Sequence, residues 1–586
     1  MLARSWCTLA LALALVVACR PQTAPRPDAA PVASPSPRYP DGWRYAAPLP
    51  VAEGRRGIVV TDAAPATDVG IAVLVAGGNA VDAAVAIGFA LAVVYPEAGN
   101  LGGGGFAVVR LADDRKRALD FRETAPARAT RDMFLDAAGE PDAERSLTGH
   151  LAAGVPGTVA GLVALHEAHG SRPLTDLVAP AIDFARGGFV VDERLAASVA
   201  GEQERLARFP ATAAWLLPGG APPAVGTRLA NPDLARTLER IAAKGRDGFY
   251  TGETAALVAA EMRAGRGLVD EADLAAYRAV WREPIRFGYR GHEIIAMPPP
   301  SSGGVVLALI AGMLESRGPR RAWHTPAALH ERAEVFRRAY AERNQHLGDP
   351  DQLALPIARL LAPAYARELA VGIAARATPS SQLVPSVPEG DHTTHFAVAD
   401  AMGNVVALTY TLNANYGSAV TVAGAGFLLN DEMDDFAARP GRANLFGLVQ
   451  GETNAIAPGK RMLSSMSPTI VLSPTGAPLL VVGGRGGSRI ITAVFQVIAN
   501  VIDHGLAAGD AVAAPRIHHQ HLPDELRFEE GGLLPETVAA LTALGHVVVA
   551  SPLPDSPVAS VSALLRRRGG WTGVADPRRG GAARGY

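Results

Sequence analysis

Cysteine is nearly absent from this 586-residue sequence, which contains only Cys7 and Cys19. The chain beyond residue 19 can therefore form no internal disulfide and no thiolate metal site. Charge is also scarce and balanced, with 55 basic and 57 acidic side chains. This balance argues against a nucleic-acid binder, whose affinity depends on neutralising phosphates. Hydrophobic residues make up 48% of the chain, which excludes a disordered protein and allows a large core.

Long apolar runs are scarce as well. After residue 20, no stretch is both long enough and sufficiently free of charge to cross a membrane. Residues 1–18 carry Arg4 and an apolar stretch from Thr8 to Val17, which is shorter than the ~20 residues that a spanning helix needs. The pattern predicts a secretory signal peptide at residues 1–18.

The sequence Val16-Val17-Ala18-Cys19 resembles the lipobox of bacterial lipoproteins. The resemblance implies that Cys19 is acylated and becomes the first residue of an exported, membrane-anchored periplasmic protein. Ordinary signal cleavage near Ala18 is the alternative. The segment from Arg20 to Pro50 is rich in Pro, Ala and Ser, which predicts an extended tether. Residues 19–50 would then be anchor and tether, with the body beginning at residue 51.

The body shows both helical and strand patterns. An apolar segment follows Asn79 and runs towards Val94, which predicts a helix buried on all sides. Four glycines at Gly102 to Gly105 predict a tight turn or a close backbone approach before a strand. Other helices are predicted through much of residues 158–280 and at Pro326 to His346, Ser488 to Asp503 and Pro535 to Leu544. The rest of the second half is predicted to form strands and turns.

A hairpin in the second half carries the most chemical information. Pro, Ser and Gly residues predict an exposed loop from Thr378 to Gly390, and this loop leads into a strand that starts at Thr393. A second strand, Val405 to Asn413, follows a turn. If the hairpin is centred on Met402, Thr393 lies directly opposite Thr411.

The two faces of this hairpin differ in polarity. One face is apolar and predicted to form core: Phe396, Val398, Val406, Leu408, Tyr410 and Leu412. The other face is polar: Thr393, His395, Thr409, Thr411 and Asn413. Threonine is common in strands, so this polar face alone fits a solvated surface better than an active site.

A loop that ends at a threonine on a complete strand also fits a chain that cuts itself. The Thr393 hydroxyl would attack the carbonyl of His392 to form an ester, which water then opens to free the Thr393 amine. An α-amino group titrates at about 7.7–8.0, so a sizeable neutral fraction exists at neutral pH. That amine can act as the base for the hydroxyl of its own residue.

Several separated motifs resemble the γ-glutamyltransferase (γ-glutamyltranspeptidase) family of the N-terminal-nucleophile hydrolase superfamily. The resemblance covers about Gly57 to Tyr586 in the family order. The motifs that carry it are Gly77 to Asp82, Asp120 to Glu123, Pro298 to Gly304, Leu347 to Pro350, Thr393 to Phe396, Thr411 to Asn413, Met433 to Phe436, Leu463 to Pro468 and Gly486 to Arg489.

The resemblance implies an α+β fold, a four-layer αββα sandwich built from two fragments of one precursor. The large fragment would span residues 51–392 and the small catalytic fragment residues 393–586. Thr393 would be both the self-cleavage residue and the catalytic nucleophile. Thr411 would hydrogen-bond to it, and the backbone N–H groups of Gly486 and Gly487 would stabilise the oxyanion.

The resemblance also implies a pocket for a γ-glutamyl group. Arg122 would bind the α-carboxylate with help from Ser464 and Ser465, whereas Asp435, Asn413 and Glu432 would surround the α-ammonium group. Without the family match, a surface ion pair for Arg122 and a turn or helix cap for Asp434 and Asp435 would be preferred.

Three residues depart from the family pattern. Met462 and Arg485 stand where relatives often have proline. Phe446 lies in a segment, Pro440 to Gly451, that resembles the loop over the glutamyl pocket, where many bacterial members have tyrosine. The loop itself favours a glutamyl pocket over the wider pocket of the related cephalosporin acylases.

Two other signals are weaker. The glycines from Gly484 to Gly487 before a helix hint at a dinucleotide site, but no second strand precedes Asp503, so that unit is incomplete. The histidines His518, His519 and His521 hint at zinc, yet they lie between prolines and fit a loop. We therefore expect no metal and no cofactor.

The sequence predicts an exported, self-processing enzyme that acts on glutathione and related γ-glutamyl compounds. Water and amino acid or dipeptide acceptors would take the glutamyl group. An acylase of the same fold for glutaryl-type amides, including cephalosporins, is one alternative. A solute-binding lipoprotein that captures glutamyl peptides is the other. The sequence leaves open the preferred acceptor, the oligomeric state and which membrane holds the anchor.

Overall fold

The structure is a computed structural model that describes residues 39–383, 393–440 and 451–586. The predicted signal peptide, Cys19, His392 and Phe446 lie outside the described residues. Strands follow one another along the described chain as β1 Ala52–Gly54, β2 Ile58–Thr61, β3 Gly104–Arg110, β4 Lys116–Phe121, β5 Phe189–Val190, β6 Arg228–Leu229, β7 Val280–Arg282, β8 Ile285–Tyr289, β9 His292–Ala296, β10 Thr394–Ala399, β11 Val405–Thr411, β12 Thr469–Leu472, β13 Pro478–Arg485, β14 Ile517–His518, β15 Leu526–Glu529, β16 Val548–Ser551, β17 Ser560–Arg567, β18 Gly570–Val574 and β19 Ala582–Gly585.

Helices in the same described ranges are α1 Ala64–Val75, α2 Ala80–Val94, α3 Ala143–Leu147, α4 Thr158–His169, α5 Leu174–Gly187, α6 Glu193–Gly201, α7 Gln203–Ala207, α8 Pro210–Leu216, α9 Pro232–Lys244, α10 Asp247–Tyr250, α11 Gly252–Ala264, α12 Glu271–Ala276, α13 Gly303–Ser316, α14 Pro326–His346, α15 Ile357–Leu360, α16 Pro363–Val371, α17 Arg489–Ile502, α18 Ala508–Ala513 and α19 Pro535–Ala543. None of these helices is both long and apolar enough to span a bilayer.

Two seven-stranded sheets form the centre of the fold. The first sheet has the order β19-β2-β10-β11-β3-β4-β7, and the second has the order β1-β18-β17-β13-β12-β9-β8. Helices α1, α2, α4, α5 and α9 share a core with the outer face of the first sheet, whereas α13, α14 and α17 pack with the second sheet. The four layers are therefore helix, sheet, sheet and helix, as the resemblance implied.

Helix α2 shows how the sequence builds the outer layer. The Asn79 side chain accepts hydrogen bonds from the N–H groups of Val81 and Asp82, and the Asp82 carboxylate accepts one from the Asn79 N–H, so the helix begins with a capping box. All 15 residues of α2 are buried. A helix that is apolar on every side fits this central position, and the prediction of a fully buried helix is confirmed.

The predicted hairpin register is confirmed. Thr394 pairs with Tyr410 and Phe396 with Leu408, which places residue 393 opposite residue 411. The apolar face contributes Phe396 and Tyr410 to the outer core. The opposite face is not solvated, because alanines such as Ala397 pack against the second sheet.

The second hairpin strand ends at Thr411, two residues earlier than predicted. The Thr411 hydroxyl accepts a hydrogen bond of 2.8 Å from the N–H of Asn413. Asn413 has a φ of +80°, in the left-handed region that asparagine tolerates better than most residues. This local turn stops the strand and directs Asn413 towards the site.

Residues 39–50, which composition assigned to the tether, pack against the body. The Trp43 indole donates a 3.0 Å hydrogen bond to the carbonyl of Ala513, and the Arg578 guanidinium lies over the Tyr45 ring. Both aromatic side chains are buried. The packed part of the chain therefore begins before residue 51.

Candidate active site

One transverse row of residues crosses the first sheet at the end where β10 begins. The strand registers place residue 393 opposite Thr411, Thr411 opposite Gly104, and Gly104 opposite residue 122. Neighbouring strands lie about 4.8 Å apart, so Thr393 and Arg122 are separated by three spacings, or about 14 Å. Alternation along each strand points all four positions towards the second sheet.

Thr393 is 5% exposed and lies immediately before β10. The next residue is held from β2, because the Thr394 hydroxyl donates a 2.9 Å hydrogen bond to Oδ2 of Asp62. The His395 N–H points to the same oxygen at 3.4 Å. Asp62 therefore fixes the backbone directly after Thr393.

Thr411 is held from the glycine-rich segment. The Asn100 side-chain amide donates a 2.8 Å hydrogen bond to the carbonyl of Thr411. A Cβ on Gly103 would lie 2.0 Å from that carbonyl oxygen, and a Cβ on Gly104 would lie 2.6 Å from Oε2 of Glu123. The predicted close backbone approach at these glycines is confirmed.

Arg122 lies at the centre of a buried acid cluster. Its guanidinium is within 2.5 Å of Oε2 of Glu432 and 3.4 Å of Oε2 of Glu123, and it also binds Oδ2 of Asp435. Arg122 and both glutamates are fully buried. A buried charge needs compensation, and here the predicted carboxylate-binding arginine and the predicted ammonium-binding acids compensate one another.

The cluster carries more acid than base, since three carboxylates surround one guanidinium. Burial, opposed by the charge of Arg122, raises the pKa of Glu123 to about 8. Burial likewise raises the pKa of Glu432 and of Asp435. The acid cluster therefore favours bound protons or an added cation.

A short 3₁₀ helix, Glu432–Asp435, presents two of these acids. Asn413 binds its start, because the Asn413 amide donates a 3.1 Å hydrogen bond to the carbonyl of Asp431. Asn454 binds its end, donating a 2.7 Å hydrogen bond to the carbonyl of Asp435. Without the family match, a turn or helix cap was the preferred interpretation of Asp434 and Asp435. The acids do lie in a short helical turn, and that turn also adjoins Arg122.

The serines of the Leu463 to Pro468 motif meet another predicted motif. The N–H and hydroxyl of Ser302 both donate to the carbonyl of Ser464, at 2.7 and 2.8 Å. The Arg343 guanidinium donates to the Ser465 hydroxyl at 2.9 Å. Nε of Arg122 donates to the carbonyl of Met462 at 3.3 Å, so the serine segment adjoins the acid cluster.

Gly486 and Gly487 form the turn between β13 and α17, with φ values of +134° and +55°. Strand β13 faces the hairpin from the second sheet. A Cβ on Gly483 would lie 2.3 Å from Cε1 of His395, so this glycine permits the two sheets to approach. Arg485, at the end of β13, lies close enough to Asp62 to lower the pKa that burial raises there. The glycine turn therefore adjoins the start of β10.

Arg485 itself is buried and ion-paired. Its guanidinium binds the Tyr95 hydroxyl and lies 3.2 Å from Oε1 of Glu97, which also pairs with Arg194 at 2.7 Å. Burial alone would raise the pKa of Glu97, but Arg194 and Arg485 together lower it to about 2. A proline at this position could form no ion pair. Arg485 instead forms an ion pair between the predicted small fragment and Glu97 of the predicted large fragment.

The residues that gave the two weaker sequence signals have structural surroundings. β13 has antiparallel neighbours on both sides, which is not the parallel unit of a dinucleotide fold. Nδ1 of His518 is 2.8 Å from the Thr492 hydroxyl, and Nε2 of His521 is 3.1 Å from the carbonyl of Ser380. Within the described residues, no group of three or more acids, histidines or cysteines is placed to hold a metal ion.

Sequence reasoning missed Asp62, Asn100 and Asn454. Asn100 lies two residues before the glycine run Gly102 to Gly105, and only the glycines were interpreted. Asp62 directly follows a short apolar strand, and nothing in its local pattern reveals that β2 pairs with β10, more than 330 residues away.

We expect Asp62→Asn to slow self-cleavage at Thr393 by roughly tenfold, because it weakens a charged hydrogen bond to the neighbouring residue. The rate can be followed by denaturing gel electrophoresis of freshly refolded protein. The double variant Asp62→Asn/Arg485→Met removes one negative and one positive charge. We therefore expect its stability to return towards that of the wild type while its cleavage stays slow. The exposed Asp68→Asn is the matched control, and wild-type cleavage by Asp62→Asn would contradict this role.

Comparison with known proteins agrees with this architecture. The family model for gamma-glutamyltranspeptidase matches residues 66–586. The chain is 46% identical over 530 residues to the glutathione hydrolase proenzyme of Escherichia coli (strain K12), covering 89% of this chain and 90% of that protein. It is 40% identical over 515 residues to the acylase ACY 1 proenzyme of Pseudomonas sp. (strain SE83), covering 86% and 88%.

Among solved structures, the cephalosporin acylase from Bacillus halodurans is similar with a TM-score of 0.83 at 26% identity, covering 93% of this chain and 99% of that one. The layered fold therefore defines an N-terminal-nucleophile hydrolase. Within that class, the chain belongs to the γ-glutamyltranspeptidase family.

Proposed function

We propose that this chain is a self-cleaving glutathione hydrolase and γ-glutamyltransferase with Thr393 as its nucleophile. The observation that carries the proposal is the row across the first sheet, which sets Thr393 at one end and Arg122 with its acid cluster at the other. The spacing suits a glutamyl group whose charged end lies at Arg122 and whose γ-carbonyl lies at the threonine.

Self-cleavage would begin with attack of the Thr393 hydroxyl oxygen on the carbonyl carbon of His392. The C–N bond breaks, the hydroxyl proton passes to the departing nitrogen, and an ester links the two fragments. Water then opens the ester, leaving a carboxylate on residue 392 and a free amine and hydroxyl on Thr393. Because β10 and β11 lie between β2 and β3, residues 51–392 and 393–586 would remain interlocked in one sheet.

Turnover would use the new amine as base. The neutral amine takes the hydroxyl proton as the oxygen attacks the γ-glutamyl amide. The N–H groups of Gly486 and Gly487 would donate to the tetrahedral oxyanion, a contribution of about 3 kcal/mol for each donor in comparable enzymes. Collapse expels the amine of the leaving group with that proton. Water or an acceptor amine then removes the glutamyl group from Thr393.

Recognition would proceed by exchange of ion pairs. Within the cluster, Arg122 pairs with Glu432 and Asp435. A glutamyl zwitterion offers Arg122 its α-carboxylate, aided by Ser464 and Ser465, and offers the acids and Asn413 its α-ammonium. Every buried charge then keeps a partner, which limits the desolvation penalty.

The same charge count argues against the acylase alternative, although acylases are among the similar proteins. A glutaryl group carries a carboxylate and no ammonium. It would add a negative charge, and no cation, to a pocket where three acids already surround one arginine. The acid cluster therefore favours a substrate that brings its own cation.

We further propose export through a signal peptide at residues 1–18 and lipid anchoring at Cys19 in the bacterial periplasm. This part rests on the sequence pattern alone. The mass of the mature N-terminal peptide tests it directly. A diacylglyceryl-modified Cys19 supports the anchor, whereas an unmodified start near residue 19 indicates ordinary signal cleavage.

N-terminal sequencing and a paired substrate assay test the enzymatic proposal. We expect two chains, one starting at Thr393, and release of the aniline from a γ-glutamyl anilide at a rate that a dipeptide acceptor increases. The corresponding glutaryl anilide should react at least about 100-fold more slowly, the effect of an unpaired buried charge. Equal rates would favour the acylase, and an intact chain without turnover would favour a binding lipoprotein.

The acid cluster predicts a pH dependence of stability. The folded-state pKa of Glu123, about 8, lies above its ordinary value of 4.5. Its contribution is thus fully present below about pH 4.5 and is lost as the pH rises towards 8. We expect the free energy of unfolding of the empty enzyme to fall between pH 5.5 and 8, and to fall less in Glu123→Gln. Urea unfolding measures this, with the exposed Glu167→Gln as control, and identical slopes would contradict it.

A further inference from the structure

A second charged cleft lies away from the row that contains Thr393. It forms where the end of α17 meets α14 and the β8–β9 turn. The other end of α17 follows Gly487, and a helix of 14 residues is about 21 Å long. The cleft is therefore separate from the proposed oxyanion site, and the reaction derived above does not use its residues.

Arg332 is the deepest charged residue of this arginine cleft. It lies on α14 and is only 8% exposed. Among the described residues, none forms a hydrogen bond with the Arg332 side chain or an ion pair within 4 Å of it. Burial lowers the pKa of Arg332, although nearby acids oppose this. The Arg332 guanidinium nitrogens still reach the open space of the cleft, so they are available to a ligand.

The nearest carboxylates are already engaged. Glu331 pairs with Arg317 at 2.6 Å and with Arg321 at 2.9 Å. Asp503 accepts a 2.6 Å hydrogen bond from the Tyr289 hydroxyl. These acids act on Arg332 through space and leave its N–H groups without an acceptor.

Charge in the cleft is therefore unbalanced. Four arginines line it, namely Arg290, Arg320, Arg321 and Arg332, against the two carboxylates of Glu331 and Asp503. His504 adds no charge at neutral pH, because burial and then the charge of Arg332 lower its pKa to about 4. The cleft holds an excess of two positive charges.

We propose that the arginine cleft binds a small tetrahedral oxyanion of the phosphate class. The cleft has a volume of about 30 Å³, room for one or two water-sized groups. One oxygen of the anion would reach the Arg332 guanidinium, and the others would face the exposed Arg320 and Arg321 at the rim. Guanidinium groups match such oxygens with paired, charge-assisted hydrogen bonds.

Thermal unfolding of the processed enzyme tests the site, with sodium phosphate titrated at constant ionic strength set by sodium chloride. We expect a saturable rise in Tm, since a ligand that binds only the folded state stabilises it. Arg332→Met should weaken the apparent phosphate affinity at least about tenfold, the effect of one lost charge-assisted bond. The exposed Arg367→Met, on α16, should leave it unchanged.

The stability of Arg332→Met without phosphate and phosphate binding by a rim variant provide two further tests. Without phosphate, Arg332→Met should be no less stable than the wild type, because it removes an unpaired buried charge. If that variant fails to fold, the exposed rim variant Arg320→Met should still weaken phosphate binding about threefold. A Tm that does not respond to phosphate, or that responds equally in all variants, would overturn the proposal.

The anion could be free or part of a lipid headgroup. A soluble short-chain phosphatidylglycerol, compared with the phosphatidylcholine of equal length, separates these sources. Stabilisation by inorganic phosphate alone assigns the site to a free anion. Stabilisation by phosphatidylglycerol that exceeds that by phosphate and depends on Arg332 assigns it to a headgroup.

Discussion

Thr393→Ala is expected to yield one uncut chain without detectable turnover. The variant lacks the oxygen that would attack residue 392, so no ester forms and no terminal amine appears. Both the nucleophile and its base are then missing, and losing such a unit costs about 10⁶-fold in comparable enzymes. Denaturing gel electrophoresis and release of the aniline from a γ-glutamyl anilide measure the two losses.

Two matched variants separate this chemistry from misfolding. Thr393→Ser retains a hydroxyl and should cleave and turn over more slowly than the wild type. Thr475→Ala removes an exposed hydroxyl on the same fragment and should behave as wild type. The assignment would be lost if Thr393→Ala were processed at that junction, or if it hydrolysed the anilide while uncut.

Much of the hairpin could be predicted from sequence because its rules are local. Alternation fixes which residues share a face, and the turn at Met402 fixes the register between Thr393 and Thr411. The structure has the same register. The strand end could not be placed as well, because it depends on one hydrogen bond from Asn413 to the Thr411 hydroxyl.

Helix α13 shows where pattern reasoning fails. Residues 303–316 were predicted to form strands and turns, and that prediction is wrong. The segment is apolar on nearly every side because it lies between the second sheet and α14 and α16. A buried helix of this kind has no polar face, so its 3.6-residue period is hidden.

Ion pairs between residues that are far apart in the chain could not be predicted from the sequence pattern either. Arg122 and the acids of the 3₁₀ helix lie more than 300 residues apart in sequence, and only the packed fold shows that they neutralise one another. The family resemblance named these residues separately for the two charges of a substrate. The structure adds that the same residues form ion pairs with one another.

Arg122 is therefore expected to be sensitive in two separable ways. Arg122→Met removes the ion pairs that Glu123, Glu432 and Asp435 make with Arg122, and we expect it to lower the free energy of unfolding by about 3–5 kcal/mol. Arg122→Lys keeps the charge, so most stability should remain. Lysine lacks the planar fork that grips a carboxylate, and kcat/KM for a γ-glutamyl anilide should fall roughly 30–100-fold, mainly through KM.

A substrate without the α-carboxylate isolates the recognition effect. With a γ-aminobutyryl anilide, which has the amine but no α-carboxylate, the wild type and Arg122→Lys should differ by less than about threefold, since the lost interaction no longer exists. Self-cleavage at Thr393 should proceed in both proteins, because Arg122 lies at the far end of the row. An equal loss on the two anilides would mean that Arg122 supports the fold of the pocket without binding the carboxylate.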